Sequence, residues 1–211
     1  MNSLASVTLE VADPTAADRF YTAAFGLDTW LRLRACETPT TGFRGFALAL
    51  TVSQPGTVRN LVDAALDAGA TSLKPAAKSF WGFGGVVRAP DGTIWKIATS
   101  ARKDTGPATR RIDDVVLLLG AADVIATKQF YVGRGLGVAR SFGRKYVEFE
   151  AGPGPVKLAL YGRRALAKDV GVPADGTGSH RLVLGAGGDV PGPFGDPDGF
   201  LWEAASLTPT P

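Results

Sequence analysis

A series of short motifs occurs twice along the chain, in the same order. Phe20-Tyr21 returns as Phe130-Tyr131, and Gly26-Leu27 as Gly135-Leu136. Pro90-Asp91-Gly92 returns as Pro197-Asp198-Gly199, and Trp95 as Trp202. The offsets are 110, 109, 107 and 107 residues, the drift that altered loop lengths produce. A repeat on this scale constrains a fold before any local reading does. It predicts two related halves, residues 1–102 and 108–207, joined by Lys103-Asp104-Thr105-Gly106-Pro107. A weaker echo lies inside the first half, where Val11, Pro14, Ala23 and Ala24 match Val52, Pro55, Ala64 and Ala65. Each half is therefore expected to hold two strand-then-helix units.

The local patterns agree with such units. Val7, Leu9 and Val11 alternate with Thr8 and Glu10, the period of a half-buried strand. Asp13 is a helix cap and Pro14 suits a first helical turn. Ala17, Phe20, Tyr21, Ala24 and Phe25 then fall at helical spacing up to Gly26. A second strand is expected from Phe46 to Val52 and a second helix from Thr57 to Ala68. Val86-Val87 leads into the Pro90-Asp91-Gly92 turn, and Thr93 to Ala98 returns as a strand. In the second half, Ile112 to Leu119 reads as a strand and Asp123 to Val132 as a helix. A hairpin follows, Tyr146 to Ala151 with Val156 to Tyr161, without counterpart in the first half. Arg163 to Val170 is a short helix stopped by Gly171, and Arg181 to Leu184 a strand. Residues 185–193 leave no room for a further helix.

Composition narrows the function classes. Hydrophobic residues make up 45% and charged residues 20%, enough to form a core. The charge is 23 − 20 = +3, and basic residues cluster only in pairs such as Arg110-Arg111 and Arg163-Arg164, so a nucleic-acid surface is not expected. No apolar run approaches the ~18–20 residues that span a bilayer. The N-terminus lacks the basic and apolar regions of an export signal. The expectation is a cytoplasmic protein without a membrane partner. Cys36 is the single cysteine and His180 the single histidine, which excludes a disulfide or an all-histidine metal site within one chain. Gly133-Arg134-Gly135 follows a helix rather than a strand, so it is no dinucleotide-binding turn. Gly82-Phe83-Gly84-Gly85 lacks the lysine of a phosphate loop and reads as a bulge or turn.

The segments "SVTLEVAD", "RFYTAAFGL" and "RAPDGTIWKIA", with "DVVLLLGAAD", "QFYVGRGL" and "FGDPDGFLWEAA", resemble the vicinal oxygen chelate superfamily. That group includes glyoxalase I, bleomycin-resistance proteins and extradiol dioxygenases. The resemblance covers most of the chain and implies an α+β fold. Tandem βαβββ modules would form curved mixed sheets around a cleft, with helices outside. It implies four modules, two of them abbreviated: the first lacks a hairpin and the last a helix. In metal-using members, ligands come from the early strand of each module and from a glutamate on the closing strand. They hold Zn, Ni, Mn or Fe as a Lewis acid.

Carried over by position, the first half departs from the metal pattern. Ser6 and Gly45 stand near early-strand positions, and Lys96 at the closing glutamate has no lone pair to offer near neutral pH. In the second half, Glu203 matches the closing glutamate, Asp114 the early strand, His180 the next ligand strand, and Tyr161 lies near the remaining position. Each also has a plain structural reading: Glu203 can pair with a cation such as Lys96 or Arg181, Asp114 can be solvated, and His180 can serve as a hydrogen-bonding residue. The leading expectation is a cleft that binds a small organic molecule without a metal or other cofactor, using Lys96, Glu203, Tyr161 and Trp81. Trp30, Phe80, Phe142 and Tyr146 offer further aromatic walls. The alternative is a metal-dependent lyase, isomerase or dioxygenase with Asp114, His180 and Glu203 as ligands. A third reading is a cleft filled by the chain's own side chains. Exposed sheet edges allow a homodimer.

Overall fold

The computed structural model describes residues 3–26, 31–152, 154–188 and 192–205. The first module contributes β1 (Ser3–Val11), α1 (Pro14–Phe25), β2 (Leu31–Ala35) and a short β3 (Thr40–Gly42). The second is β4 (Phe46–Thr51), α2 (Pro55–Asp67), β5 (Thr71–Ser79), β6 (Gly82–Arg88) and β7 (Ile94–Thr99). The third is β8 (Asp114–Ala121), α3 (Val124–Gly133), β9 (Val138–Ser141), β10 (Tyr146–Phe149) and β11 (Val156–Gly162). A connecting segment holds α4 (Arg163–Val170) and β12 (Gly176–Gly178). The fourth module keeps only β13 (Leu182–Gly187), β14 (Phe194–Gly195) and β15 (Leu201–Ala204). The second and third modules are thus complete βαβββ units and the outer two are shortened.

The same sequence devices start the equivalent helices. Asp13 accepts a hydrogen bond from the Ala16 amide at 2.9 Å, and Asp123, 110 residues later, accepts from Ile125 and Ala126 at 2.9 and 3.2 Å. α2 opens with Pro55 and has no cap of its own. Asp104 of the inter-half linker supplies one, accepting from the Gly56 amide at 2.5 Å and pairing with Arg59 at 2.7 Å. The linker is thereby fastened to the second module.

The modules pair across the two halves. The eight-stranded sheet has the order β5-β6-β7-β4-β8-β11-β10-β9, joined by antiparallel pairing of β4 with β8, Leu48 opposite Leu117. It holds all the strands of modules two and three. The five-stranded sheet, β14-β15-β13-β1-β2, joins modules four and one through β1 and β13, with Val7 opposite Leu184. A ribbon of β3 with β12 ties the halves once more. Each module's first strand lies parallel to its closing strand: β4 to β7, β8 to β11 and β13 to β15. In the first module β2 takes the closing-strand place beside β1. Residues 1–102 and 108–207 are therefore repeats in sequence, while every large sheet draws on both.

Strand alternation divides the eight-stranded sheet into two faces. Phe46, Leu48, Leu50, Trp95, Ile97 and Leu117 point into the main core, which extends to the five-stranded sheet and takes in residues of α1, α2 and α3. The aromatic-rich motifs that betray the duplication sit there. Tyr131 OH donates to Asp196 at 2.5 Å and receives the Trp202 indole N–H at 3.1 Å. Its counterpart Tyr21 donates to Asp91 at 2.6 Å. Each closing turn is thus clasped by a tyrosine, through the first aspartate of Asp196-Pro197-Asp198-Gly199 in one half and through the single aspartate of Ala89-Pro90-Asp91-Gly92 in the other. Burial, reinforced by the neighbouring carboxylates, pushes both phenols well above the ordinary tyrosine pKa. The opposite face of the sheet, here called inner, carries Ala47, Val86, Ile94, Leu118 and Ala159. Of the described residues, none lies in a helix long and apolar enough to cross a membrane.

Candidate functional site

Small side chains at the centre of the inner face leave room for a helix, and α4 lies there. Leu166 and Val170 are fully buried, and Ala167 nearly so, against Ala47, Leu118 and Ala159. Arg163 anchors the start of α4 through Phe43 O at 2.7 Å and Ala174 O at 3.2 Å. Gly171, at φ 84°, ends it in the left-handed conformation that glycine adopts without strain. The last turn is gripped by two lysines. Lys74 Nζ donates to Lys168 O at 2.9 Å and Asp169 O at 2.6 Å, and Lys96 Nζ meets Asp169 Oδ2 at 2.5 Å. Three helices flank the sheets as expected; α4 instead occupies the cleft.

The helix divides the inner face. On the β5–β7 side a hollow of about 240 Å³ remains, lined by Lys74, Trp81, Phe83, Gly84, Lys96 and Asp169 among others. Its rim is the β5–β6 hairpin. Gly82 has φ 137°, and a side chain there would collide with the Thr99 carbonyl, so only glycine lets the hairpin approach β7 so closely. Arg102 holds the hairpin tip through Phe80 O at 2.9 Å. On the β10–β11 side, Tyr146 and Tyr161 rings lie 5.4 Å apart edge to face, and Tyr146 OH donates to Glu148 at 3.2 Å. Burial and then the Glu148 charge raise the Tyr146 pKa. Asp114 pairs with Lys157 at 2.6 Å.

The five-stranded sheet has its own open face. Across a floor of small residues that includes Ser6, Thr8 and Gly185, Arg34 reaches Glu10 at 2.7 Å and Glu203 at 3.2 Å. Hydrogen bonding to Glu10 is the main cause that raises the Arg34 pKa. Glu203 stands on the closing strand β15, and Arg34 on β2, the strand in the corresponding place of module one. A guanidinium therefore engages the closing glutamate.

Asp114, His180 and Glu203 are not brought together. Asp114 belongs to the eight-stranded sheet and Glu203 to the five-stranded one. His180 precedes β13, with Nδ1 2.5 Å from Arg44 O, Nε2 3.1 Å from Asp198 O and its ring stacked on Phe200. Neither ring nitrogen faces open space. Among the described residues no three His, Cys, Asp or Glu side chains gather to hold a metal ion. The expected triad took its members from modules three and four of one half, whereas the sheets pair three with two and four with one. These residues do not fit a metal centre.

Of the four expected ligand-binding residues, Lys96 and Trp81 line one hollow. Tyr161 is on the same face beyond α4, and Glu203 is on the other sheet, paired with neither Lys96 nor Arg181. Phe80, Trp81 and Phe142 are exposed rather than core. Trp30 lies outside the described residues. Sequence reasoning missed Lys74, Asp169 and Arg34. Asp169 carried no local signal, since only the placement of α4 in the cleft gives it a partner. Arg34 alternates with Leu33 along β2, but its meaning depends on the β1–β13 pairing.

No protein-family profile and no curated protein matches the chain. Among solved structures, a candidate dioxygenase from Bacillus subtilis subsp. subtilis str. 168 is similar with a TM-score of 0.60 and 12% identity, over 98% of this chain and 86% of that one. Glyoxalase I from Zea mays is similar with a TM-score of 0.57 and 16% identity, over 95% and 90% of the two chains. At these identities the likeness is one of fold. The chain adopts the vicinal oxygen chelate fold, with four modules interleaved across its two halves.

Proposed function

We propose that the chain binds a small organic molecule in the hollow beside α4, using Lys96, Lys74 and Trp81 rather than a bound metal. The observation that carries this reading is the meeting of a cationic floor and an exposed indole around one cavity on the inner face of the complete sheet. Concave sites with apolar walls and a few polar groups are where small molecules bind. Lysine at the closing position of module two supplies charge and hydrogen-bond donors in place of a ligand oxygen. The test is to label the tryptophan indoles with ¹⁵N and titrate a library of compounds below about the 300 Å³ scale of small ligand pockets. Movement of the Trp81 indole, assigned with Trp81→Phe and weakened in Lys96→Ala, is expected. A library that moves no indole, or only the others, would remove the proposal.

A second reading has the docking of α4 in its favour. The inner face would then be a core, and the chain would act through its surface. The same titration separates the two, since a surface-acting protein leaves the Trp81 indole unmoved by every compound.

A further inference from the structure

Building on that reading, we infer that the hollow selects a planar aromatic carboxylate whose acid group competes with Asp169 for Lys96 and Lys74. Both ammonium nitrogens already converge on one residue: Lys74 Nζ lies 2.6 Å from Asp169 O, and Lys96 Nζ lies 2.5 Å from Asp169 Oδ2. Among the described residues Asp169 is the only acid lining the cavity, against two lysines. Among the described residues Lys74 forms no ion pair and is held by carbonyl oxygens alone, so the floor keeps one net positive charge. The Lys96–Asp169 pair is itself partly solvated, with the two side chains 31% and 32% exposed. Such a pair is weak and exchangeable for another carboxylate. The carboxylate of Asp169 thus marks where an incoming acid group belongs.

The walls select the rest of the molecule. Trp81 is 82% exposed and touches Phe80 edge to face at 5.0 Å, which leaves a large indole surface in water beside the cavity. The side-chain-free Gly84 and the small Ala98 continue the lining and leave room beside the indole. An indole next to a cationic floor is suited to a flat unsaturated ring with an acid at one end. The volume of about 240 Å³ equals about eight waters at ~30 Å³ each, which matches one ring and a short acid arm.

Cinnamate, cinnamyl alcohol and cinnamylamine share one planar skeleton and differ in charge, so they separate the charge claim from the cavity claim. Titrated at pH 7 into ¹⁵N-indole-labelled full-length protein, cinnamate should move the Trp81 resonance with at least about tenfold higher affinity than the other two. Lys96→Met should weaken cinnamate about tenfold and leave the alcohol unchanged. Asp169→Asn should tighten cinnamate, an effect that partial unfolding cannot imitate. If the alcohol or amine moves Trp81 as well as cinnamate does, or if Asp169→Asn weakens cinnamate in a protein whose spectrum is otherwise unchanged, the carboxylate selectivity is wrong while the cavity stands. If none of the three moves Trp81, the inference falls. The cavity itself falls only if the wider library also leaves that indole unmoved.

Discussion

Tyr131→Phe tests whether the repeated tyrosine–aspartate clasp holds the two closing turns. The hydroxyl is buried: Tyr131 is 0% and Asp196 8% exposed. Removing it deletes a bond to a carboxylate and leaves the Trp202 indole N–H, 3.1 Å away, without its acceptor. A charge-assisted bond contributes about 1.5–3 kcal/mol, and a buried orphaned donor costs about 1–3 kcal/mol. With partial relaxation the loss should be about 3–4 kcal/mol. The matching change in the other half, Tyr21→Phe, should cost less, about 1–2 kcal/mol. Both carboxylates keep backbone amides, but Asp91 is half-buried where Asp196 is buried, so water can replace the lost hydroxyl at Asp91. Urea denaturation of the two variants measures the difference as a shift in midpoint at constant slope. If Tyr131→Phe proves no more costly than Tyr21→Phe, burial does not control the clasp and the reasoning fails.

Other consequences can be checked in parallel. Leu166→Ala should cost about 2–4 kcal/mol, because Leu166 is fully buried between α4 and the inner face; a cost below about 1 kcal/mol in urea would show that α4 is not docked there. Tyr21, Tyr131 and Tyr146 all have raised pKa values, so above the ordinary tyrosine value of about 10 the unfolded chain binds fewer protons than the folded one. Stability should then fall as pH rises through that region, by up to about 1.4 kcal/mol per pH unit for each group, and Tyr146→Phe should flatten the slope. A stability flat from pH 9 to 11.5 contradicts this. Glu203→Gln should cost less than about 1 kcal/mol, since Glu203 and Arg34 are 40% and 43% exposed. The same substitution should leave the metal content of chelator-free preparations unchanged by elemental analysis, and a stoichiometric metal lost on substitution would refute the guanidinium's place there.

The duplication, the two shortened modules and most of the first strands and helices were legible because they rest on local devices. Asp13 and Asp123 cap equivalent helices, and Val7, Leu9 and Val11 alternate visibly. α4 was readable down to its stop at Gly171. β5 was not, because Lys74, Pro75 and Lys78 suit an edge strand with register shifts and break the simple period. The site was less legible than the fold. Offsets between motifs reveal which segment copies which, but the partner of a strand is chosen by packing over the whole chain. Asp114 and Glu203 looked like neighbours in one half and separated once β4 joined β8 and β1 joined β13. Lys96 and Trp81 remained together because both belong to module two.

The pairing of β1 with β13 also fixes a waiting time during synthesis. Val11 ends β1 and Leu182 begins β13, so 182 − 11 = 171 residues must be added before the central join of the five-stranded sheet can form. At roughly 5–20 residues per second on a ribosome, that takes about 10–30 s. Until then Leu4, Val7 and Leu9 border an open strand edge, which a chaperone can shield or a neighbouring nascent chain can capture. A late strand thus closes the first one, and translation pauses between β1 and β13 prolong the interval in which that edge is open to aggregation.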